Sequence, residues 1–258
     1  MINKIGLQTF TIRKSIKTPK SLVSTLKYYA GKGIKSFELA RINFDTGELE
    51  ALQNLKNSHG VTYSACQITL KKIKSQLDFL AEFAKKLDIK FIEVSVIPMK
   101  SFIAGKKGIL SLSSELNELG KRLKEQGVGL LYHHHNFELI KFGGEISLDI
   151  LLEHTDSRYV NLVCDTYWLA KSGYSPAEFI KKRMGRVKGI HLRDNIFKFK
   201  NGKFSSTDGV LDEGTIDYSF IRDLAAQSDV DFFSIEQDSK CPECDALKSY
   251  EYIKEIIE

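Results

Sequence analysis

Residues 128–138 read "VGLLYHHHNFE", an apolar run that passes directly into three adjacent histidines and ends at a glutamate. Seven more short apolar runs recur along the chain, and longer amphipathic stretches separate them. The eight runs are "KIGLQTF" (4–10), "KSFELA" (35–40), "VTYSAC" (61–66), "KFIEVSV" (90–96), "VGLLYHH" (128–134), "VNLVCD" (160–165), "VKGIHL" (187–192) and "DFFSIEQ" (231–237). Apolar strands that alternate with amphipathic helices are typical of a parallel sheet covered by helices.

The stretches between the runs carry apolar residues at helical spacing, as in "SQLDFLAEFAKKLD" (75–88). Gly33, Gly60 and Gly127 lie where such helices would end. Dividing 258 residues among eight units gives about 32 each, the size expected of a compact barrel. We therefore predict an α/β fold, a single (β/α)8 TIM barrel domain over residues 1–258, since no Pro-, Gly- or Ser-rich linker interrupts the pattern.

An open, doubly wound sheet is the structural alternative. Against it, the strand "GLQTF" (6–10) is not followed by a Gly-rich phosphate loop, so a dinucleotide site has no support. The long irregular stretch 193–216 follows the seventh predicted strand, and its "NGK" turn (201–203) predicts a small hairpin. A long loop on this face more often covers a bound substrate than merely connects two elements.

Charge and hydropathy narrow the class of protein. The net charge is only +5, from 38 Lys+Arg against 33 Asp+Glu, and the basic residues are spread along the chain, which argues against nucleic-acid binding. The N-terminal "MINKIGLQTF" (1–10) lacks the apolar core of a signal peptide, and no stretch approaches the length that spans a bilayer. We expect a cytoplasmic protein with no membrane partner.

Polar residues cluster where the last four predicted strands end. The four segments are "YHHHNFE" (132–138), "CDTYW" (164–168), "IHLRD" (190–194) and "IEQD" (235–238). In such barrels the chemistry lies at the C-terminal ends of the strands, and successive strands converge on one point above the axis. Three carboxylates with one or two imidazoles would bind one divalent cation, Mn²⁺, Mg²⁺, Co²⁺ or Zn²⁺.

The three histidines of the fifth strand do not share one side. Because side chains alternate along a strand, His133 and His135 are predicted to face the pocket and His134 to pack outward toward the helices. Trp168, the only tryptophan, is predicted either to wall a sugar pocket or to be a core residue at a helix start.

In this order and spacing, these segments resemble the sugar phosphate isomerase/epimerase superfamily of xylose isomerase-like TIM barrels. The resemblance covers nearly the whole chain, from "GLQTF" to "IEQD". It implies a divalent metal held by Glu138, Asp165, His191 and Glu236. The chain departs from the family pattern at His134, where Asn is more usual, and at His133, where many relatives place the fifth-strand Glu. His133 is therefore the alternative to Glu138 as ligand.

The resemblance implies an isomerase or epimerase of a sugar or sugar derivative. A metal that chelates the carbonyl and the neighbouring hydroxyl would stabilise an enediolate. Proton transfer is assigned to Glu236 with His133, His135 or Glu38 as the second base. The residues assigned to the carbohydrate substrate are His135, Trp168, Arg193 and Gln8.

Other functions stay open on the same barrel. Similar proteins act as lyases, dehydratases or hydrolases on keto-sugars and inositol derivatives. A metal-dependent apurinic endonuclease would need a larger ligand set than this chain offers, and a non-catalytic sugar-binding barrel is a further alternative. A homodimer is expected by analogy with other barrels of this size.

Overall fold

Eight parallel strands close into a barrel in the computed structural model, which describes residues 4–227 and 230–257. The strands of the chain are β1 (Ile5–Gln8), β2 (Ser36–Ala40), β3 (Thr62–Ile68), β4 (Phe91–Val94), β5 (Gly129–His133), β6 (Lys141–Phe142), β7 (Glu145–Ile146), β8 (Val160–Asp165), β9 (Val187–Leu192), β10 (Asp194–Lys200), β11 (Lys203–Gly209) and β12 (Phe232–Ile235). Around the barrel the order is β1-β2-β3-β4-β5-β8-β9-β12, and β12 pairs with β1. The predicted (β/α)8 TIM barrel is confirmed, and each of the eight apolar runs supplies one barrel strand.

Helices connect the barrel strands and cover the barrel. They are α1 (Pro19–Gly31), α2 (Thr46–His59), α3 (Leu70–Ser75), α4 (Leu77–Lys86), α5 (Met99–Ile103), α6 (Gly105–Glu125), α7 (Ser147–Glu153), α8 (Thr166–Lys171), α9 (Pro176–Lys181), α10 (Phe220–Gln227) and α11 (Pro242–Ile257). A short 3-10 helix spans Phe137–Leu139.

The helices form where local capping and an apolar stripe agree. Asp45 caps α2 by accepting a hydrogen bond from the Glu48 amide, and α2 ends at Gly60 in the left-handed conformation (φ 63°). On α6, Leu112, Leu116 and other apolar side chains at helical spacing are buried against the barrel. Each such side chain contributes about 1.5–3 kcal/mol by leaving water, so packing and not propensity holds these helices.

The strand register brings the C-terminal ends of neighbouring strands together. Asp165 at the end of β8 lies opposite His191 of β9, and His191 lies opposite Ser234 of β12. Glu236 follows directly after β12, and its amide donates to the carbonyl of Leu192 at 3.2 Å. The residues that end the last barrel strands therefore lie on one rim.

The predicted hairpin is present as β10 and β11, which pair antiparallel over their whole length. Its turn residues Asn201 and Gly202 both have positive φ (54° and 73°), as a two-residue hairpin turn requires. Ile196 to Lys200 and their partners stand away from the barrel, while Asp208 at the base of the hairpin is buried.

Within residues 4–227 and 230–257, no helix is both long enough and apolar enough to cross a membrane.

Candidate metal centre and its cavity

Four buried side chains at the C-terminal rim form a group that we call the metal-ligand cluster: His133, Asp165, His191 and Glu236. They belong to the ends of four neighbouring strands, β5, β8, β9 and β12. Each offers one ligand atom, and these four atoms lie within 4.8 Å of one another. Two imidazoles and two carboxylates at this separation can surround one divalent cation.

Three buried atoms of the metal-ligand cluster make no hydrogen bond of good geometry: His133 Nε2, His191 Nδ1 and Glu236 Oε2. His191 Nδ1 lies 2.9 Å from Glu236 Oε2, and His133 Nε2 lies 3.6 Å from Asp165 Oδ2. Buried polar atoms are rarely left unpaired, since each such atom costs about 1–3 kcal/mol. A cation between them would satisfy all three, so the residues present fit a metal.

The structure brings together Asp165, His191 and Glu236 of the predicted ligands, but it does not bring Glu138 to them. Glu138 is buried in the 3-10 helix, where its carboxylate accepts the Tyr132 hydroxyl at 2.7 Å and the His135 amide at 2.9 Å. Both oxygens are thus used to hold the loop after β5. The fifth-strand member of the cluster is His133, which was the alternative to Glu138.

Arg193 supplies positive charge beside the cluster. Its guanidinium donates to Asp165 at 3.2 Å, to Glu236 at 2.9 Å and to Asp208 at 2.5 Å. Burial raises the pKa of Glu236, but Arg193 and His191 together outweigh burial and lower this pKa to about 2. The pKa of Asp165 is also lowered, against burial, mainly by Arg193. Both carboxylates are therefore charged and ready to bind a cation at neutral pH.

A second set of polar groups, all buried except the half-buried Gln67, lies on the other side of His191, and we call it the polar layer: Gln8, Glu38, Gln67 and Glu93. His191 Nε2 lies 3.0 Å from Glu38, and 3.9 Å from Glu93. Gln8 donates to Glu38 at 2.9 Å, and Gln67 donates to Glu93 at 2.8 Å. Glu38 thus contacts one ring nitrogen of His191 and leaves the other free for the cluster.

Two predicted site residues, the substrate contact Gln8 and the second base Glu38, lie in this polar layer. Gln8 and Glu38 are fully buried, and neither lines the cavity above the cluster. The Gln8 side chain donates to Glu38 beneath the rim, so the predicted substrate contact of Gln8 stays a prediction. Glu93 was missed by sequence reasoning, although a glutamate within the apolar strand "FIEV" was a detectable signal.

The three histidines of the "HHH" run take three different roles. His133 and His135 line the cavity, while His134 is fully buried and lies beside Phe179 of α9. His134 Nε2 accepts the backbone amide of Asp165 at 3.1 Å. His135 Nδ1 has no partner, and burial lowers the pKa of His135 to about 3, so the ring is neutral. A neutral imidazole thus faces the cavity next to the metal-ligand cluster.

The cavity above the cluster has a volume of about 620 Å³, enough for a small polar molecule. Trp168 and Arg193, both predicted as substrate contacts, line it. Sequence reasoning missed other lining residues, among them Lys72 of α3, Tyr167 of α8 and Asp208 of the hairpin. Their contribution depends on loop geometry, which no local motif marks.

A family model described as xylose isomerase-like TIM barrel matches residues 26–256. Among curated proteins, an inosose dehydratase from Clostridium botulinum (strain Alaska E43 / Type E3) is 34% identical over 160 residues. The match covers 56% of this chain and 53% of that protein. The chain thus spans about half the length of the curated relatives it matches.

Solved structures with this fold cover nearly the whole chain. A sugar phosphate isomerase/epimerase from Parabacteroides distasonis ATCC 8503 has a TM-score of 0.78 and 17% identity, covering 99% of this chain and 96% of that chain. An IOLI protein with a binding zinc atom has a TM-score of 0.70 and 16% identity, covering 98% and 96%. At these identities the likeness establishes the fold.

Proposed function

Because the chain belongs to the xylose isomerase-like TIM barrel family, we propose that it is a metal-dependent enzyme acting beside the carbonyl of a polyhydroxylated ketone. We propose further that it is a dehydratase, which removes water from a keto-sugar or keto-cyclitol. The observation that carries the proposal is the metal-ligand cluster, in which four buried ligand atoms within 4.8 Å of one another lie beneath a cavity of suitable size.

In this proposal His133, Asp165, His191 and Glu236 hold the ion. The mixed nitrogen and oxygen donors favour Zn²⁺, Mn²⁺ or Co²⁺ over Mg²⁺, which prefers oxygen ligands alone. When bound, the ion would polarise the substrate carbonyl and so acidify the neighbouring C–H bond. Glu38 orients His191 through the contact at 3.0 Å, which fits a positioning role better than the proton-transfer role expected for Glu38.

His135 is the proposed proton-transfer group. It lines the cavity next to the metal-ligand cluster, and we propose that its imidazole takes the proton from the carbon beside the carbonyl. The same imidazole can then return that proton to the hydroxyl that leaves from the next carbon. One C–H bond and one C–O bond break, a C=C bond forms, and water is released.

The lack of a second free base among the carboxylates that line the cavity favours elimination over epimerisation. The carboxylates that line it are all engaged: Glu236 and Asp208 accept from Arg193, and Asp238 accepts from Arg13 at 2.7 Å. Epimerisation by two bases on opposite faces of the substrate needs a second free base, whereas elimination can use His135 alone. The inosose dehydratase relatives support the same choice.

The test is a proton NMR assay in D₂O with keto-inositols and ketohexoses, using protein loaded separately with Zn²⁺, Mn²⁺ or Co²⁺. A dehydratase converts the ketone to a product that has lost water and carries a new C=C bond. We expect Asp165→Asn to abolish turnover and His135→Gln to reduce it by about 100-fold or more. Lys71→Met, on the outer surface of α3, serves as the control.

An isomerase or epimerase is the second candidate, favoured by the name of the structural neighbour from Parabacteroides distasonis. It would exchange the C–H proton for deuterium and give an isomeric ketone or aldehyde without loss of water. That result would reject the dehydratase and retain the metal-dependent mechanism. Turnover that persists after complete removal of metal would reject both.

A further inference from the structure

Two cations lie in the half of the cavity opposite the metal-ligand cluster. Arg41 follows β2, and Lys72 lies in α3, which follows β3. The cluster takes its residues from β5, β8, β9 and β12, and in the barrel order β2 and β3 lie across the mouth from β8 and β9. Both Arg41 and Lys72 line the same cavity as His133, His135 and Glu236.

Neither cation is neutralised by the part of the protein that the structure describes. No ion pair of Arg41 or Lys72 is formed there, whereas Arg193, which also lines the cavity, has carboxylate partners. Arg193 binds Asp165, Asp208 and Glu236, and Arg13 binds Asp238. The acidic groups at the mouth are thus already used, and two positive charges are left facing the cavity.

The local structure holds these cations in place without removing their charge. The Arg41 guanidinium lies 5.4 Å from the centre of the Phe10 ring, and the Lys72 ammonium lies 5.5 Å from that of Phe44. Lys72 also donates to the carbonyl of Asn43. Arg41 has a left-handed backbone (φ 60°), a conformation that is uncommon for a residue other than glycine.

We propose that Arg41 and Lys72 form an anion-binding subsite, so that the substrate carries a carboxylate or phosphate group at the end remote from its carbonyl. The inference rests on the proposed function, and it specifies the substrate class. The fork of the Arg41 guanidinium matches two oxygens of either anion, and Lys72 adds a point charge. A neutral sugar or cyclitol would leave both cations without an anionic partner.

The test measures binding of inorganic phosphate and of acetate by calorimetry to metal-free protein, so that no metal can hold the anion. We expect saturable binding of at least one anion, weakened at least about tenfold by Arg41→Gln and by Lys72→Met. Lys71→Met, which removes a neighbouring charge outside the cavity, leaves binding unchanged. Arg41→Lys restores part of the affinity, because it keeps the charge but not the fork. Phosphate binding alone indicates a phosphorylated substrate, and acetate binding alone indicates a carboxylate.

Zn²⁺ titration of the same variants separates this proposal from the proposed function. We expect Arg41→Gln and Lys72→Met to bind Zn²⁺ as the wild type does. If neither anion saturates the wild type, or if both variants bind anions as tightly as the wild type, the subsite is rejected. Loss of the metal site would instead appear as absent Zn²⁺ binding in the wild type, whatever the anion result.

Discussion

At the scale of single residues, His133 and Glu138 decide how the fifth strand contributes to the site. Only His133 reaches the metal-ligand cluster, while Glu138 holds Tyr132 and the His135 amide. We expect His133→Ala to weaken Zn²⁺ binding by more than the roughly 10–100-fold that loss of an outer-shell contact costs. Calorimetric titration of chelator-treated protein measures this change.

Glu138→Gln is the matched variant, because it removes the charge and keeps the shape. We expect it to bind Zn²⁺ within about tenfold of the wild type, and to lose about 1–3 kcal/mol of unfolding free energy because an amide cannot accept both hydrogen bonds. Urea unfolding measures the loss. The reverse pattern, with metal lost in Glu138→Gln and kept in His133→Ala, would restore Glu138 as the ligand.

Glu93 makes the stability of the metal-free protein depend on pH. Burial, and next the charge of Glu38, raise the pKa of Glu93 to about 8 from its ordinary 4.5. Between pH 4.5 and about 8 the folded protein therefore keeps a proton that the unfolded chain loses. Glu93 thus stabilises the fold at low pH, and this contribution is lost as the pH rises through the same range. For this one group, the unfolding free energy falls by at most about 1.4 kcal/mol per pH unit.

Glu93→Gln mimics the protonated side chain and removes this titration. We expect the variant to lose less stability than the wild type as pH rises from about 5 to about 8, as measured by urea unfolding of metal-free protein. Equal slopes for the two proteins would show that Glu93 is ionised in the folded state.

How far the sequence predicts such residues depends on whether their partners are local. Asp165, His191 and Glu236 could be placed because each ends a strand, and a closed barrel brings neighbouring strand ends together. The position of His133 in the cluster in place of Glu138 could not be predicted, because it depends on a 3-10 turn and on the Tyr132 hydroxyl. These contacts arise only when the loop after β5 folds back on the strand.

At the scale of elements, the hairpin β10–β11 combines a buried base with an exposed end. Asp208 at its base binds Arg193, whereas Phe197, Phe199 and Phe204 toward the turn are 62%, 64% and 81% exposed. The outer half therefore contributes little to the core, and its order depends on its own turn and strand pairing.

Replacement of the turn glycine tests this independence. Gly202 has φ 73°, which a β-branched residue adopts only with strain, so we expect Gly202→Val to loosen the outer hairpin. Limited proteolysis should cut the turn faster than in the wild type, while the midpoint of thermal unfolding of the barrel stays within about 2 °C. A large drop in the midpoint would show that the hairpin is part of the core.

Elements were easier to predict than contacts for a physical reason. Each barrel strand carries its own apolar run, and the hairpin carries its own "NG" turn, so both are encoded over a few residues. The polar layer was not foreseen, since Gln8, Glu38, Gln67 and Glu93 come from four separate strands and meet only inside the closed barrel.

At the scale of the whole molecule, we expect that metal held by the cluster would stabilise the whole barrel. The cluster draws on four strands spread between residues 133 and 236, so bound metal opposes their separation. At a free metal concentration about 100 times Kd, binding adds about 2.7 kcal/mol. For a chain of this size we expect a rise of about 5–10 °C in the thermal midpoint.

Differential scanning calorimetry with Zn²⁺, and again after chelation, measures this rise. The His133→Ala variant is the control, and its midpoint should respond far less to metal. An equal rise in the variant would indicate that Zn²⁺ binds elsewhere on the protein.

The ion pairs of Arg193 bear on whether the newly synthesised chain can fold before it binds metal. Asp165, Asp208 and Glu236 would repel one another in the folded chain, but the guanidinium already donates hydrogen bonds to all three and reduces this repulsion. Structural zinc domains, by contrast, stay unfolded until metal arrives. We therefore expect a newly synthesised chain to fold under metal starvation and to persist as a stable, inactive reserve. In that case the supply of metal sets how much of the protein is active, and not how much of it survives.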